Sequence, residues 1–289
     1  MLKALLKTMR PRQWSKNIFI FAALVFDKQL LILHAFERTA AGFVLFCLIS
    51  SAVYIFNDLA DIEPDREHPV KKNRPIPSGK LPVSIAVTAG VLLVIAALSF
   101  GFWLSPDFAL VLAVYFLINL AYSKWLKHIP ILDVLVLAAG FVLRVGAGVT
   151  IIHVERFSPW LYVVMTLLAL YLGFGKRRAE LTLLSNDAGA HLKVLEGYSI
   201  ALLDQYIMIV SSTTIVAYSL YTFSAPNVPA NHSMMLTIPF VLYAIFRYLY
   251  LVQIKHAGGE PEEILLSDRP LQMALLLWAL VVVAIFYLS

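Results

Sequence analysis

Nine residues, Asn57 to Asp65, hold four carboxylates (Asp58, Asp61, Glu63 and Asp65), and a cationic strip of Lys71, Lys72 and Arg74 follows before Gly79. Carboxylates at this density repel one another, so a positive partner belongs among them. The basic strip suits an anion of the kind a divalent metal also binds, and together they read as a site for Mg2+ and phosphate. Asn57, Asp61 and Asp65 are spaced four apart, so a continuing helix stacks them on one face, and Asp58 and Asp61 are one turn apart. Pro64 breaks or kinks that helix and re-aims Asp65. Mg2+ takes one or two protein carboxylates and completes its shell with water and substrate phosphate oxygens. Asp58 and Asp61 are the first choices as ligands, with Asp65 direct or through water and Asn57 a neutral oxygen donor. Lys72 and Arg74 are assigned to phosphate oxygens, Arg74 by a two-pronged hydrogen bond. Pro75, Pro77 and Gly79 form a stiff turn that keeps them in place.

The elements that must position this run are membrane helices. Of the 289 residues 60% are apolar and only 14% charged, and the mean hydropathy is +0.80, outside the range of soluble domains. Apolar windows of about 20 residues suit helices crossing a hydrocarbon core of roughly 30 Å. Nine are expected, at about 17–34, 38–56, 83–102, 107–123, 130–151, 158–175, 202–223, 234–252 and 270–288. The fold class is therefore all-α and polytopic, a single transmembrane domain over 1–289. Residues 1–16 are an interfacial amphipathic segment, and 57–82 and 176–201 are loops carrying the chemistry. With the N-terminus in the cytoplasm, nineteen cationic side chains face that side against Arg38 and Arg156 on the other, which sets the topology as N-in, C-out. The net charge of +5 follows this rule and not a nucleic-acid pattern. Cys47 is the sole cysteine, so a disulfide or a cysteine metal site within the chain is excluded.

Asn57-Asp58-x-x-Asp61-x-x-x-Asp65, followed by His68, Lys72 and Arg74-Pro75-Ile76-Pro77-Ser78-Gly79, resembles the first motif of the UbiA superfamily of intramembrane transferases. That resemblance implies nine helices around a central cavity, Mg2+-bound diphosphate at the cytoplasmic mouth and a lipid tail entering from the bilayer. Prenyl-transferring members carry a second aspartate-rich motif after the sixth span. Here that place reads Lys176-Arg177-Arg178-Ala179-Glu180. Three cations with one carboxylate suit several phosphates better than a second metal cluster. This departure resembles the decaprenyl-phosphate phosphoribosyltransferase branch, as does Arg10-Pro11-Arg12-Gln13-Trp14-Ser15-Lys16-Asn17. The branch implies phosphoribosyl diphosphate as donor, a polyprenyl phosphate as acceptor, and substrate-binding roles for Lys16, Asn17, Lys176, Arg177 and Glu180. It also implies a multi-pass protein of the inner (cytoplasmic) membrane with its active site on the cytoplasmic side.

Other polar residues at membrane depth need a reason. Arg144, near the middle of the fifth span, costs at least about 2.5–3.5 kcal/mol there, so it should face a wet cavity or a carboxylate. Asp133, eleven residues earlier, lies on the same face. Tyr122 and Lys124 end the fourth span and are assigned to the donor phosphate. Asp27 and Lys28 snorkel to the interface. The seven histidines show no metal spacing. Two competing readings remain: prenyl transfer to an aromatic or lipid acceptor, for which Asp187 and Glu196 keep a second carboxylate cluster open, and a non-enzymatic transporter, which expects polar groups through the bundle. The oligomeric state is not encoded in these patterns.

Overall fold

The computed structural model describes residues 1–289 except 153, 155–157, 185–192, 256–260 and 289. Arg156 and Asp187 lie outside the described residues. Every described element is helical. Among the described residues eight helices are long and apolar enough to cross a membrane, and they match the second to ninth expected spans.

The first expected span takes a different form. Residues Pro11–Phe21 wind as a 3-10 helix that passes straight into α2 (Ala22–Phe26), after the amphipathic α1 (Leu2–Met9). In a 3-10 helix residues three apart eclipse one another. That period is written in the inward face: Asn17, Ile20 and Ala23 are buried, and Trp14 one turn earlier donates its Nε1 to Ser51 Oγ at 3.0 Å. The 3-10 rise is longer than the α rise, so these 11 and 5 residues reach about 30 Å, close to a hydrocarbon core.

The chain divides into two compact units. Unit 1 comprises Met1–Val25, Gln29–Lys127 and Leu143–Val154. Its axis is α3 (Leu33–Ala60), against which α1, α5 (Val83–Leu104) and α6 (Pro106–Lys124) pack. Phe46, Ile49, Phe108, Leu112 and Tyr115 fill its core together with Ile20, Leu24 and Ile151. The second half of α7 (Leu132–Ile151) belongs here. Gly148 lets it meet the 3-10 segment backbone to backbone, because a Cβ there would collide with the Ile20 carbonyl oxygen. Arg38 closes two helix ends by donating from Nε to Ile151 O at 3.1 Å and from Nη2 to Leu104 O at 2.5 Å. A cation on terminal carbonyls is favourable both as a hydrogen bond and against the helix dipole.

Between α3 and α5 the expected loop 57–82 is structured. The helix break falls at Asp61, three residues before Pro64. Pro64 lacks the N–H that would bind the Ala60 carbonyl, so α3 stops at Ala60 and α4 (Ile62–Glu67) starts afresh with Pro64 in its first turn. A 3-10 turn at Lys71–Asn73 follows, then a turn tied by Ser78 N to Arg74 O and Leu81 N to Pro75 O, at 3.0 and 2.9 Å. Gly79 supplies the left-handed φ of 74° that this turn requires. Ile76 and Leu81 anchor it in a small core with Ile55 and Ala86, onto which Ala4, Leu5 and Met9 of α1 pack.

Unit 2 comprises Phe26–Lys28, His128–Val142 and Glu155–Ser289. Here α8 (Pro159–Leu184) lies along α9 (Ile200–Ser224), and α10 (Ile238–Gln253) packs on α12 (Arg269–Leu288), with the short α11 (Pro261–Ser267) beside it. Phe174, Leu203, Ile207, Tyr248 and Leu251 form the core, with Tyr171 and Tyr248 edge-on at 5.2 Å. The expected loop 176–201 is corrected at its start. Lys176 to Glu180 lie within α8, which runs on to Leu184. These residues are good helix formers, and the pairs Arg177–Glu180 and Lys176–Glu180 have the (i, i+3) and (i, i+4) spacings that support a helix.

Candidate functional site

The first polar cluster lies in unit 1 at the C-terminal end of α3. Asp58 and Asp65 are buried, and the helix break at Asp61 brings them onto one guanidinium. Arg74 Nη1 donates to Asp65 Oδ2 at 2.6 Å and to Asp58 Oδ1 at 3.2 Å. Arg10 Nη2 donates to the same Asp58 oxygen at 2.5 Å, with its guanidinium 4.8 Å from the centre of the Tyr54 ring. Arg10 has the left-handed φ of 52° that ends α1 and turns the chain into Pro11. The positive charge that the acidic run calls for is thus supplied by Arg74 from sixteen residues on and Arg10 from forty-eight residues back.

The third aspartate stands apart from these two. Asp61 accepts from Lys127 Nζ at 2.8 and 3.0 Å and keeps 25% of its side chain exposed. Asn57, expected on one face with Asp61 and Asp65, accepts instead from Ser123 Oγ at 2.7 Å. Glu63 is exposed and pairs with Arg66. Lys72 is exposed, its backbone N–H donating to His68 O. His68 Nδ1 accepts from the backbone of Val70 and Lys71 at 3.2 and 3.3 Å, and partial burial together with the nearby Lys71 lowers its pKa below the ordinary histidine value. Tyr122 and Lys124 lie in the last turn of α6, with Lys124 Nζ 4.9 Å from the Trp125 ring centre. Lys127, three residues further, joins Arg10 and Arg74 as a cation on the acidic run, at Asp61.

Deeper in unit 1, Arg144 is buried and bonds Asn17 and Tyr115. Its Nε donates to Asn17 Oδ1 and its Nη2 to Tyr115 OH, both at 2.9 Å, and it lies over the rings of Tyr115 and Phe46 at 5.0 and 5.5 Å. Asn17, fully buried, passes its own Nδ2 hydrogens to Cys47 Sγ and Ser50 Oγ, both at 3.2 Å. The motif residue Asn17 is thereby tied to Arg144 and α3, while Lys16 beside it is half-buried.

The second cluster belongs to unit 2. Asp133 is inaccessible; Arg177 Nε donates to its Oδ2 at 2.6 Å and Tyr198 OH to its Oδ1 at 2.7 Å. Arg177 Nη1 also donates to Glu180 Oε2 at 2.5 Å, and Lys176 Nζ lies 4.0 Å from Glu180 Oε1. Arg178 donates to Asp204 Oδ1 at 2.6 Å, with Gln253 on the same oxygen. Tyr198 OH accepts from Ile131 N as well. Burial, then its bond to the Asp133 carboxylate, raises its pKa above the usual tyrosine value. Neither Tyr198 nor Asp204 was singled out in the sequence. Nothing in their local sequence marks them, because their partners come from other helices. Glu196 is exposed in the 3-10 turn Lys193–Gly197.

Do these donors fit a divalent cation? Among the described residues no three His, Cys, Asp or Glu side chains form a metal cage. Yet Asp58 and Asp65 are held so that one cationic nitrogen bridges them, and every donor in the run is an oxygen. That fits Mg2+, which takes one or two carboxylates and completes its shell from water and phosphate.

Apolar helices long enough to cross a membrane, with an oxygen-rich, ion-paired cluster at the end of the longest of them, describe a polytopic membrane protein with a site suited to phosphate and a divalent cation. The chain belongs to the UbiA prenyltransferase family, whose model matches residues 18–263 and so spans both units. It is 37% identical to the decaprenyl-phosphate phosphoribosyltransferase of Mycolicibacterium smegmatis, across 100% of this chain and 94% of that protein. The protein of the same name from Mycobacterium tuberculosis is 36% identical, across 94% of this chain and 90% of the relative. In fold the chain is similar to a UbiA homolog from Archaeoglobus fulgidus solved bound to GPP and Mg2+, with a TM-score of 0.75 at 18% identity over 98% of this chain and 99% of that one.

Proposed function

We propose that this protein transfers a 5-phosphoribosyl group from phosphoribosyl diphosphate to a polyprenyl phosphate and releases pyrophosphate. The observation that carries the reading is identity of 36–37% to phosphoribosyltransferases along essentially the whole chain. It is supported by the departure at 176–180, where an aspartate-rich motif gives way to Lys176, Arg177 and Arg178.

Asp58, Asp61 and Asp65 would hold Mg2+, which when bound neutralises the diphosphate leaving group. Arg74 and Lys72 bind diphosphate oxygens, Arg74 from its seat between two carboxylates. Tyr122 and Lys124 are assigned to the donor phosphate as well. Lys176 is the cation of the second cluster best suited to a substrate phosphate, since Arg177 is committed to Asp133 and Glu180. An acceptor phosphate oxygen attacks ribose C1 as the C1–O bond to pyrophosphate breaks. That oxygen is already anionic at neutral pH, so no strong general base is required, in keeping with a site lacking a histidine or cysteine nucleophile. Lys16, Asn17 and Arg144 are proposed to line the substrate path. We further infer nine crossings, the 3-10 segment with α2 being the first. The N-terminus and the Asp58 cluster face the cytoplasm of the inner membrane, on the strength of the basic-residue asymmetry.

The test uses purified protein with radiolabelled phosphoribosyl diphosphate, polyprenyl phosphate and Mg2+, followed by lipid extraction. Label is expected in the lipid phase, and Asp61→Asn is expected to abolish its transfer while the thermal midpoint is kept. Label left wholly in the aqueous phase, while a prenyl diphosphate is consumed with an aromatic acid, overturns the reading.

A further inference from the structure

The acidic cluster carries its own counter-cations, and they differ from the carboxylates in freedom. Asp58 and Asp65 expose 2% and 3% of their side chains, whereas Arg10 and Arg74 keep 29% and 28% open. The carboxylates are enclosed by the protein, whereas the guanidiniums reach them from its surface and keep a side open to solvent. Arg10 rests on the Tyr54 ring at 4.8 Å while it bonds Asp58, so it has an aromatic contact besides the carboxylate. Both guanidiniums crowd one oxygen, Asp58 Oδ1, and Arg74 also spans to Asp65. Two monovalent cations thus balance two carboxylates, the charge a single divalent ion would balance.

Resting on the functional reading above, we infer that Arg10 and Arg74 are resident stand-ins for the divalent cation and surrender Asp58 when that cation arrives with a diphosphate. Charge bookkeeping makes the two ligands interdependent. A free divalent cation must evict a guanidinium and leave it without a counter-ion. A cation–diphosphate complex brings a new partner for each side: the metal for the carboxylates, phosphate oxygens for the guanidiniums. Cation and diphosphate therefore bind as a couple, and the coupling is reciprocal. The consequence is an enzyme that ignores free Mg2+ and loads it with the donor.

The experiment measures Mn2+ binding to the detergent-purified full chain by the electron paramagnetic resonance of free Mn2+, with and without pyrophosphate. Wild type is compared with Arg10→Gln, Arg74→Gln and Asp58→Asn, and thermal midpoints verify folding. Arg10→Gln is expected to bind Mn2+ alone about tenfold more tightly, as befits removal of one adjacent unit charge from a partly exposed site. The extra affinity conferred by pyrophosphate should shrink by a similar factor. Arg74→Gln should move in the same direction, so a folding failure in one variant leaves the other decisive. Folded arginine variants that bind Mn2+ alone no more tightly than wild type overturn the exchange. If Asp58→Asn leaves Mn2+ binding unchanged, with or without pyrophosphate, the metal assignment itself falls and takes the exchange with it.

Discussion

Removing Asp133 should cost this protein more stability than removing any of the three aspartates in the acidic run. Its carboxylate is inaccessible and accepts from Arg177 Nε at 2.6 Å and Tyr198 OH at 2.7 Å. Asp133→Ala strands a guanidinium whose side chain is only 7% exposed. Breaking a buried pair costs about 3–5 kcal/mol. Glu180 still holds Nη1 at 2.5 Å, so the low end, about 3 kcal/mol, applies. Tyr198 loses its acceptor for about a further 1 kcal/mol. A total near 4 kcal/mol corresponds to a fall of about 8–16 °C in the thermal midpoint for a chain of this size. The assay is thermal unfolding in detergent of Asp133→Ala, Arg177→Leu and the pair Asp133→Leu/Arg177→Leu. Because the double variant removes both charges, its loss should be smaller than the sum of the single losses by roughly 2 kcal/mol or more. An Asp133→Ala midpoint within about 2 °C of wild type, or strictly additive losses, would refute the argument. The same logic separates neighbours on α8. Arg177 variants should lose stability, whereas Lys176→Ala should keep the midpoint and raise the KM for a phosphorylated substrate.

Other expected outcomes follow from single contacts. Arg38→Ala removes two charge-assisted bonds to helix-terminal carbonyls and should cost about 1.5–3 kcal/mol, with Arg38→Lys recovering only part because an ammonium lacks the fork. Gly148→Ala pushes a methyl into the Ile20 carbonyl and should lower the midpoint more than an ordinary helical Gly→Ala change, which is neutral or stabilising. Tyr198 has a raised pKa in the fold, so its contribution is whole below about pH 10 and is lost as pH rises beyond it; midpoints measured from pH 8 to 11 should fall less steeply in Tyr198→Phe. Asp268 caps Leu271 N at 2.9 Å and takes two bonds from Arg247, and that arginine holds its pKa below the usual carboxylate value. Its contribution is therefore present above about pH 4 and lost as pH falls through the lowered value, a loss that Asp268→Asn should abolish in an acid titration of the midpoint.

Eight of the spans were legible because hydropathy over about 20 residues reports the solvent directly. The acidic run was legible because its charge density has no reason to exist without a cation. What the sequence hid was which cation goes where. Helical spacing grouped Asn57, Asp61 and Asp65, but the chain breaks at Asp61 and pairs Asp58 with Asp65 instead, leaving Asp61 to Lys127 from sixty-six residues on. Pro64 was rightly read as a breaker, although its effect falls on the carbonyl four residues before it. The first span was placed at about 17–34 from its apolar window, which reports solvent but not helix type; the segment runs as a 3-10 helix from Pro11 and ends with α2 at Phe26, its buried positions Asn17, Ile20 and Ala23 repeating every three.

The cationic run at 176–178 shows how a local charge count misleads. Read along the chain, three cations with one carboxylate look like a phosphate patch. In the fold Asp133 and Glu180 take Arg177, Asp204 takes Arg178, and Lys176 lies at 4.0 Å from Glu180. Two of these carboxylates come from other helices, so the patch is close to neutral. The basic residues at this place therefore stitch α8 to its neighbours, through Arg177 to Asp133 and Arg178 to Asp204. Any phosphate-binding charge left over must come from the more exposed Lys176 and from Glu180 releasing it. Of the three cations Lys176 has the most exposed side chain, 24% against 7% for Arg177 and 11% for Arg178, so it is the one whose replacement tests the proposed phosphate contact. A Lys176→Gln variant that keeps its fold and transfers phosphoribosyl groups with unaltered KM for both substrates would remove the second cluster from the reaction altogether.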